Sequence, residues 1–300
     1  MLRRSFILAA TMGSLAAPAW AEVIDTVMGP VDVPENPQRI VVLTNEGTEA
    51  LLSLGITPIG AVKSWTGDPW YDHIAEAMGD AEVLGTESAI NLELIAALEP
   101  DLILGNKLRQ EKEYAQLSAI APTVFSETLR GDWMENYRIY AQALGMSEEG
   151  DAVIADFNAD VAATTEALGD AVNEKLSLVR FLAGQIRIYQ LDSFSGVLLQ
   201  QIGFQRPDNQ NVNDFMMQIG KESIPEMEGD RLFYFTYDVG DGEGKKLAEE
   251  VLADPLWANL EVVKNGRAYE VDDVIWNTAG GVLAAREMLS QIRTIYGVEN

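Results

Sequence analysis

Short apolar runs alternate with short amphipathic stretches along most of this chain. Arg39-Ile-Val-Val-Leu-Thr44 is continuously apolar at its centre, as expected of a strand buried on both faces. A helix over 49–54 follows, stopped by Gly55, and then a strand over 58–62. Val83-Leu84 reads as a short third strand. Asn91 caps a helix over 92–98, and 101–104 is a fourth strand. A helix over 111–120, a strand over 123–125 and a helix over 133–144 complete a first half. Ahead of it, the turn-rich stretch 22–37 reads as a hairpin. Residues 147–174 break the alternation. They lack proline, are rich in Ala, Glu and Asp, and open with acids in a first helical turn. They predict one long helix. Alternation then resumes, with strands over 176–182, 186–190, 231–235 and 268–271 and helices over 196–202, 245–252 and 282–296. Strands and helices alternating at short spacing are the mark of parallel α/β layers. The expected fold is α/β: two Rossmann-like lobes joined by a single long α-helix, with a ligand cleft between them. The expected division is an N-terminal lobe over 22–146, a connecting helix over 147–174 and a C-terminal lobe over 175–300.

The first 21 residues follow a different pattern. Arg3 and Arg4 precede an apolar run from Phe6 to Ala17, and Ala19-Trp20-Ala21 offers small residues at a cleavage site. This is the three-part pattern of a secretory signal peptide, and Arg3-Arg4-Ser-Phe-Ile also resembles a twin-arginine export signal. No later segment reaches the length of a membrane span. No cysteine stands at the cleavage point to carry a lipid. The expectation is a periplasmic protein, neither inserted in the membrane nor a lipoprotein.

Composition narrows the chemistry. A net charge of −26 argues against nucleic acid, because a polyanion needs a basic footprint. Zero cysteine excludes thiolate metal sites and cysteine nucleophiles, and one histidine, His73, excludes multi-histidine metal sites. Gly240-Asp-Gly-Glu-Gly244-Lys-Lys lacks the spacing of a phosphate loop, and Ser193-Phe-Ser195-Gly-Val lacks the glycines of a nucleophile elbow. No motif selects a catalytic residue or a cofactor, and a carboxylate pair brought together in space stays open among the 47 acids.

Open α/β layers bind ligands beyond the carboxyl ends of their strands. There the chain places Trp65 and Trp70, then Lys107 and Arg109, then Tyr237, then Trp276. Strand 176–182 carries Arg180, and the next segment carries Arg187. Guanidinium groups bind anionic oxygens by charge-assisted bonds, and aromatic rings add rigid apolar contact. These eight residues imply an anionic, partly apolar ligand held between two lobes.

The ordered motifs also resemble a known family. Pro34-Glu-Asn-Pro-Gln-Arg-Ile-Val-Val-Leu43 and Glu49-Ala-Leu-Leu-Ser-Leu-Gly-Ile-Thr-Pro-Ile-Gly-Ala61 are similar to the opening of periplasmic iron–siderophore binding proteins of ABC importers. Asn91-Leu-Glu-Leu-Ile-Ala-Ala-Leu-Glu-Pro-Asp-Leu-Ile-Leu104, Gly203-Phe-Gln-Arg-Pro207, Asp254-Pro-Leu-Trp257 and Lys264-Asn-Gly-Arg-Ala-Tyr269 extend the match through both halves. The resemblance implies a monomeric receptor that captures a ferric siderophore and passes it to a permease. Iron already saturated by its chelator needs no ligand from the protein. Arg180 and Arg187 match positions where the family meets anionic siderophore groups. One exposed glutamate per lobe is implied as the permease contact: Glu49, and Glu222 with Glu226 or Glu228 as alternatives. Haem, cobalamin or another metal chelate stays open as cargo, with Tyr237 and His73 as candidate axial ligands. An exported hydrolase is a third reading, supported by no motif.

Overall fold

The computed structural model describes residues 22–298. The signal peptide and twin-arginine pattern expected over 1–21 lie outside the described residues. Strands Glu22–Thr26 and Gly29–Val33 form an antiparallel hairpin. Beyond it stand two five-stranded sheets. The first is wholly parallel, in the spatial order Glu82–Val83, Gly60–Ala61, Ile40–Val42, Leu102–Asn106, Thr123–Ser126. Ile40–Val42 and Leu102–Asn106 are buried along their whole length, which is why they read as apolar runs rather than alternating ones.

The second sheet runs Met216–Ile219, Gln185–Tyr189, Leu176–Leu182, Arg231–Thr236, Ala268–Glu270. It is mixed rather than parallel. Leu176–Leu182 pairs in parallel with Arg231–Thr236 but antiparallel with Gln185–Tyr189. Only Ala183 and Gly184 join those two strands, and Gly184 takes φ +67 to close the turn. A parallel crossover needs a dozen residues or more, so a two-residue link forces the chain back on itself. The edge strand Met216–Ile219 was not foreseen; it is short, half-exposed and preceded by a polar stretch.

The two sheets are linked by a helix over Ser147–Leu168. It is shorter than the expected 147–174, because Gly169 at φ +53 ends it and Gly169–Asn173 continues as a 3-10 turn. The first helix starts earlier than expected, at Asn45–Ser53. Thr44 sets this start by accepting a hydrogen bond from the Gly47 amide at 3.0 Å. The helix expected over 111–120 is broken into Lys107–Gln110, Glu111–Glu113 and Tyr114–Ser118.

One buried apolar cluster runs through the whole molecule. It joins Leu104 of the first sheet, Phe157 of the connecting helix, Phe233 of the second sheet and Met288 of the closing helix Val282–Tyr296. Two smaller clusters cover the outer faces of the sheets. At the middle, Trp133 meets Phe157 and Phe194 edge-on, with ring centroids 5.2 and 6.2 Å away. Three segments that come from different parts of the chain therefore share one aromatic joint. Truncating one of its rings, Phe157→Ala, is expected to cost about 3–5 kcal/mol of unfolding free energy in urea titrations, as for other buried Phe truncations. A loss under about 1 kcal/mol would contradict the shared core.

Candidate functional site

A cavity of about 500 Å³ opens between the sheets. Its N-terminal wall comes from residues just after strands: Glu46, Trp65, Arg109 and Arg130. This is where an open α/β sheet leaves a crevice. Its other wall carries Arg180, Arg187, Tyr189, Phe215, Tyr237 and the segment from Asn277 to Gly280.

Arg180 and Arg187 are directly opposed across the antiparallel pair, so both side chains leave the same face of the sheet. Like charges so placed repel, and each is handled differently. Arg180 is buried and forms a fork with Asp273, with Nη2 donating to Oδ2 at 2.8 Å and Nε donating to Oδ1. Its Nη1 donates to the Tyr189 hydroxyl at 3.1 Å, and its guanidinium lies 4.7 Å from the Tyr237 ring centroid. Burial opposes the Arg180 charge, but Asp273 outweighs it and holds the guanidinium firmly protonated. Arg187 donates only to the side chain of Gln185, at 2.8 and 3.1 Å, and has no carboxylate partner among the described residues.

The remaining guanidiniums repeat one device. Arg109 donates to Glu87 at 3.1 Å and sits 5.4 Å from the Trp65 ring. Arg130 donates to Asp192 at 3.3 Å and sits 5.5 Å from the Phe215 ring. Each arginine is thus oriented by an acid and backed by an aromatic face. Arg187 supplies the uncompensated charge.

Five of the eight expected ligand residues line this cavity: Trp65, Arg109, Arg180, Arg187 and Tyr237. Three do not. Trp70 is buried in the shared core. Lys107 begins the short helix Lys107–Gln110 and stays outside the lining. Trp276 is fully buried, 4.6 Å from the Phe233 ring, with Nε1 donating to Gln291 at 2.7 Å. Sequence reasoning missed Arg130, which follows strand Thr123–Ser126 and obeys the same strand-end rule. It also missed Phe215, which precedes the unforeseen edge strand.

The docking glutamates divide. Glu222 is exposed in the 3-10 turn Lys221–Met227. Glu49, expected on the surface, is fully buried. Its Oε1 lies 2.6 Å from His73 Nε2, and its Oε2 accepts the Ala284 amide at 2.9 Å. It therefore caps the closing helix, where unpaired amides and the helix dipole favour a carboxylate. A carboxylate so enclosed cannot reach a partner.

A cationic, aromatic-backed cavity at the strand ends of two α/β sheets defines a ligand-binding protein of the two-lobed class. The chain belongs to the periplasmic binding protein family, whose pattern matches residues 40–275. It is 52% identical over 279 residues to a probable siderophore-binding lipoprotein of Bacillus subtilis, covering 90% of this chain and 86% of that one. It is 28% identical over 268 residues to the achromobactin-binding periplasmic protein of Dickeya dadantii, covering 87% of each. The crystal structure of Staphylococcus aureus SirA complexed with staphyloferrin B is 33% identical, with a TM-score of 0.87 over 93% of this chain and 99% of that one. The first of these relatives corrects one expectation. That relative is a lipoprotein, so the expectation of a periplasmic protein that is not a lipoprotein does not stand. The relatives include both a lipoprotein and a periplasmic protein, so likeness across the folded lobes does not tell a tethered molecule from a free one.

Removing the acid behind Arg180 tests the electrostatics. Asp273→Asn is expected to lower unfolding free energy by about 3 kcal/mol, because it leaves a buried guanidinium without its counter-charge. Urea unfolding with unchanged stability would contradict the pairing.

Proposed function

We propose that this chain captures a ferric siderophore in the cavity and delivers it to the permease of an ABC importer. One observation carries the reading: four arginines line one cavity, three of them backed by aromatic rings. Such a wall suits an anionic chelate with an apolar frame. The match to SirA, a structure complexed with staphyloferrin B, and to siderophore-binding relatives supports the same cargo class. The chelator satisfies the iron, so the protein supplies neither metal ligand nor cofactor and acts as a binder rather than an enzyme. Among the described residues no group of His, Cys, Asp and Glu is arranged to hold a metal. The lobes 22–146 and 175–300 close on the ligand about the connector 147–174, and the receptor works as a monomer.

The other cargoes fare worse. His73 is held by Glu49 and lies outside the cavity lining, so it offers no axial bond there. Burial pushes the Tyr237 hydroxyl above its usual range, which disfavours the phenolate that an axial bond needs. The serines singled out for a hydrolase are structural. Ser193 caps the helix Phe194–Ile202 and Ser195 donates to the Trp276 carbonyl.

Tryptophan-fluorescence titration tests the reading. Ferric staphyloferrin B, ferric citrate, a ferric hydroxamate, haem and cobalamin form the panel, with Trp65 on the cavity wall as reporter. Saturable quenching by a ferric chelate but not by its iron-free form is expected, and quenching by haem or cobalamin alone would contradict the reading. Arg187→Ala is expected to weaken that binding about 10–100-fold, as for loss of a charge-assisted contact. It is a cleaner probe than Arg180→Ala, which would strand Asp273. Glu222→Arg is expected to leave binding intact and to abolish uptake by cells. Normal uptake by that variant would remove Glu222 from the permease contact.

A further inference from the structure

We propose that Glu46 is a specificity-determining donor: it stands in the cavity wall as a neutral carboxylic acid and gives its O–H to an acceptor oxygen of the bound ferric chelate. The inference rests on the function proposed above. Glu46 lines the cavity and is 7% exposed. Its Oε2 accepts one hydrogen bond, from Asn136 at 3.1 Å, and its Oε1 has no partner. No cation pairs with it among the described residues. Glu87, buried in the same wall, has the opposite surroundings. Its Oε1 accepts from the Asn45 amide at 2.8 Å and the Asn45 side chain at 2.7 Å, and Arg109 holds its Oε2.

The charged groups facing Glu46 agree on the sign. On its own helix stands Glu49, across the wall stands Glu87, and Asp132 stands at the start of the helix Trp133–Ala143. All three favour the proton, and only Asn136 of that helix favours the anion. The Tyr140 hydroxyl is engaged with Ser126 and the Gly105 carbonyl. The cavity arginines 109, 130 and 180 are committed to Glu87, Asp192 and Asp273. Burial first, and then these like charges, push the Glu46 carboxyl well above the usual carboxylate range. An ionised Glu46 would set a buried negative charge beside an anionic ligand. A neutral one removes that repulsion and adds a donor. Oε1 is itself buried, and because the terminal carboxyl torsion is soft, turning the carboxyl brings one of its oxygens toward a ligand in the cavity.

Titrations of wild type, E46Q and E46A with ferric staphyloferrin B and ferric citrate, across the pH range in which the protein stays folded, test this. Taking the ratio of variant to wild type removes the chelates' own titration. E46Q, which keeps a donor and no charge, should bind within about twofold of wild type at the acid end, and E46A about tenfold more weakly. As pH rises, wild type should lose affinity relative to E46Q. A constant ratio across the range, or E46Q as weak as E46A, overturns the proposal. Urea unfolding gives a second reading. A carboxyl whose folded value is raised loses stability as pH climbs from its unfolded value through its folded one, so wild type should fall behind E46Q toward alkaline pH. Parallel stability profiles overturn the proposal as well. Wild type that binds neither chelate, nor any member of the panel above, overturns the proposed function, and that failure is seen without any variant.

Discussion

The turn at Ala183 and Gly184 places two guanidinium groups opposite each other on one face of a sheet. Nothing in the backbone relieves that repulsion, so the rest of the site is organised around it. Asp273 neutralises Arg180 and locks it on Tyr237, and the chain from Asn277 to Gly280 just beyond it forms one wall of the cavity. Arg187 is left with only a neutral amide partner. In a molecule of net charge −26, that leaves a cationic spot set among acids that are already committed. Long-range repulsion of an anionic ligand is screened beyond about 8–10 Å at physiological salt. The local charge then decides whether the ligand stays.

Much of this was legible in the chain. Continuous apolar runs marked the buried strands, and the absence of proline over 147–174 marked the connector. The strand-end rule found Trp65, Arg109 and Tyr237 because it needs only the order of elements. It failed where tertiary packing decides. Trp276 follows a strand as the rule requires, but it sits in the π-helical turn Val274–Thr278, which rotates it onto Phe233 in the core. The antiparallel return of Gln185–Tyr189 went undrawn, although the short gap between the expected strands 176–182 and 186–190 is too small for a parallel crossover.

The acids are the clearest case of a residue type with several fates. Glu46 and Glu49 lie three residues apart on one helix, and neither is on the surface. Glu49 is tied to His73 and to the start of the closing helix, so it joins the first helix to the last. Gly281 has no side chain because Glu49 packs where its Cβ would be, 2.6 Å from Oε2. In the sequence Glu49 reads as an exposed permease contact, and Glu46 lies ahead of the helix expected over 49–54. Only the long-range neighbours, far along the chain, distinguish a cap from a cavity wall.

A single core through both sheets and the connecting helix implies that closure on ligand is small, with cavity shape largely set beforehand. The central claim is that the protein grips a chelate and leaves its iron alone. Anomalous diffraction at the iron edge, from crystals grown with ferric staphyloferrin B, tests it most directly. The account predicts one iron peak inside the cavity walled by Trp65, Arg187 and Tyr237, with every coordinating atom supplied by the chelator. A peak outside that cavity, or iron bonded to a side chain of this protein, would contradict it.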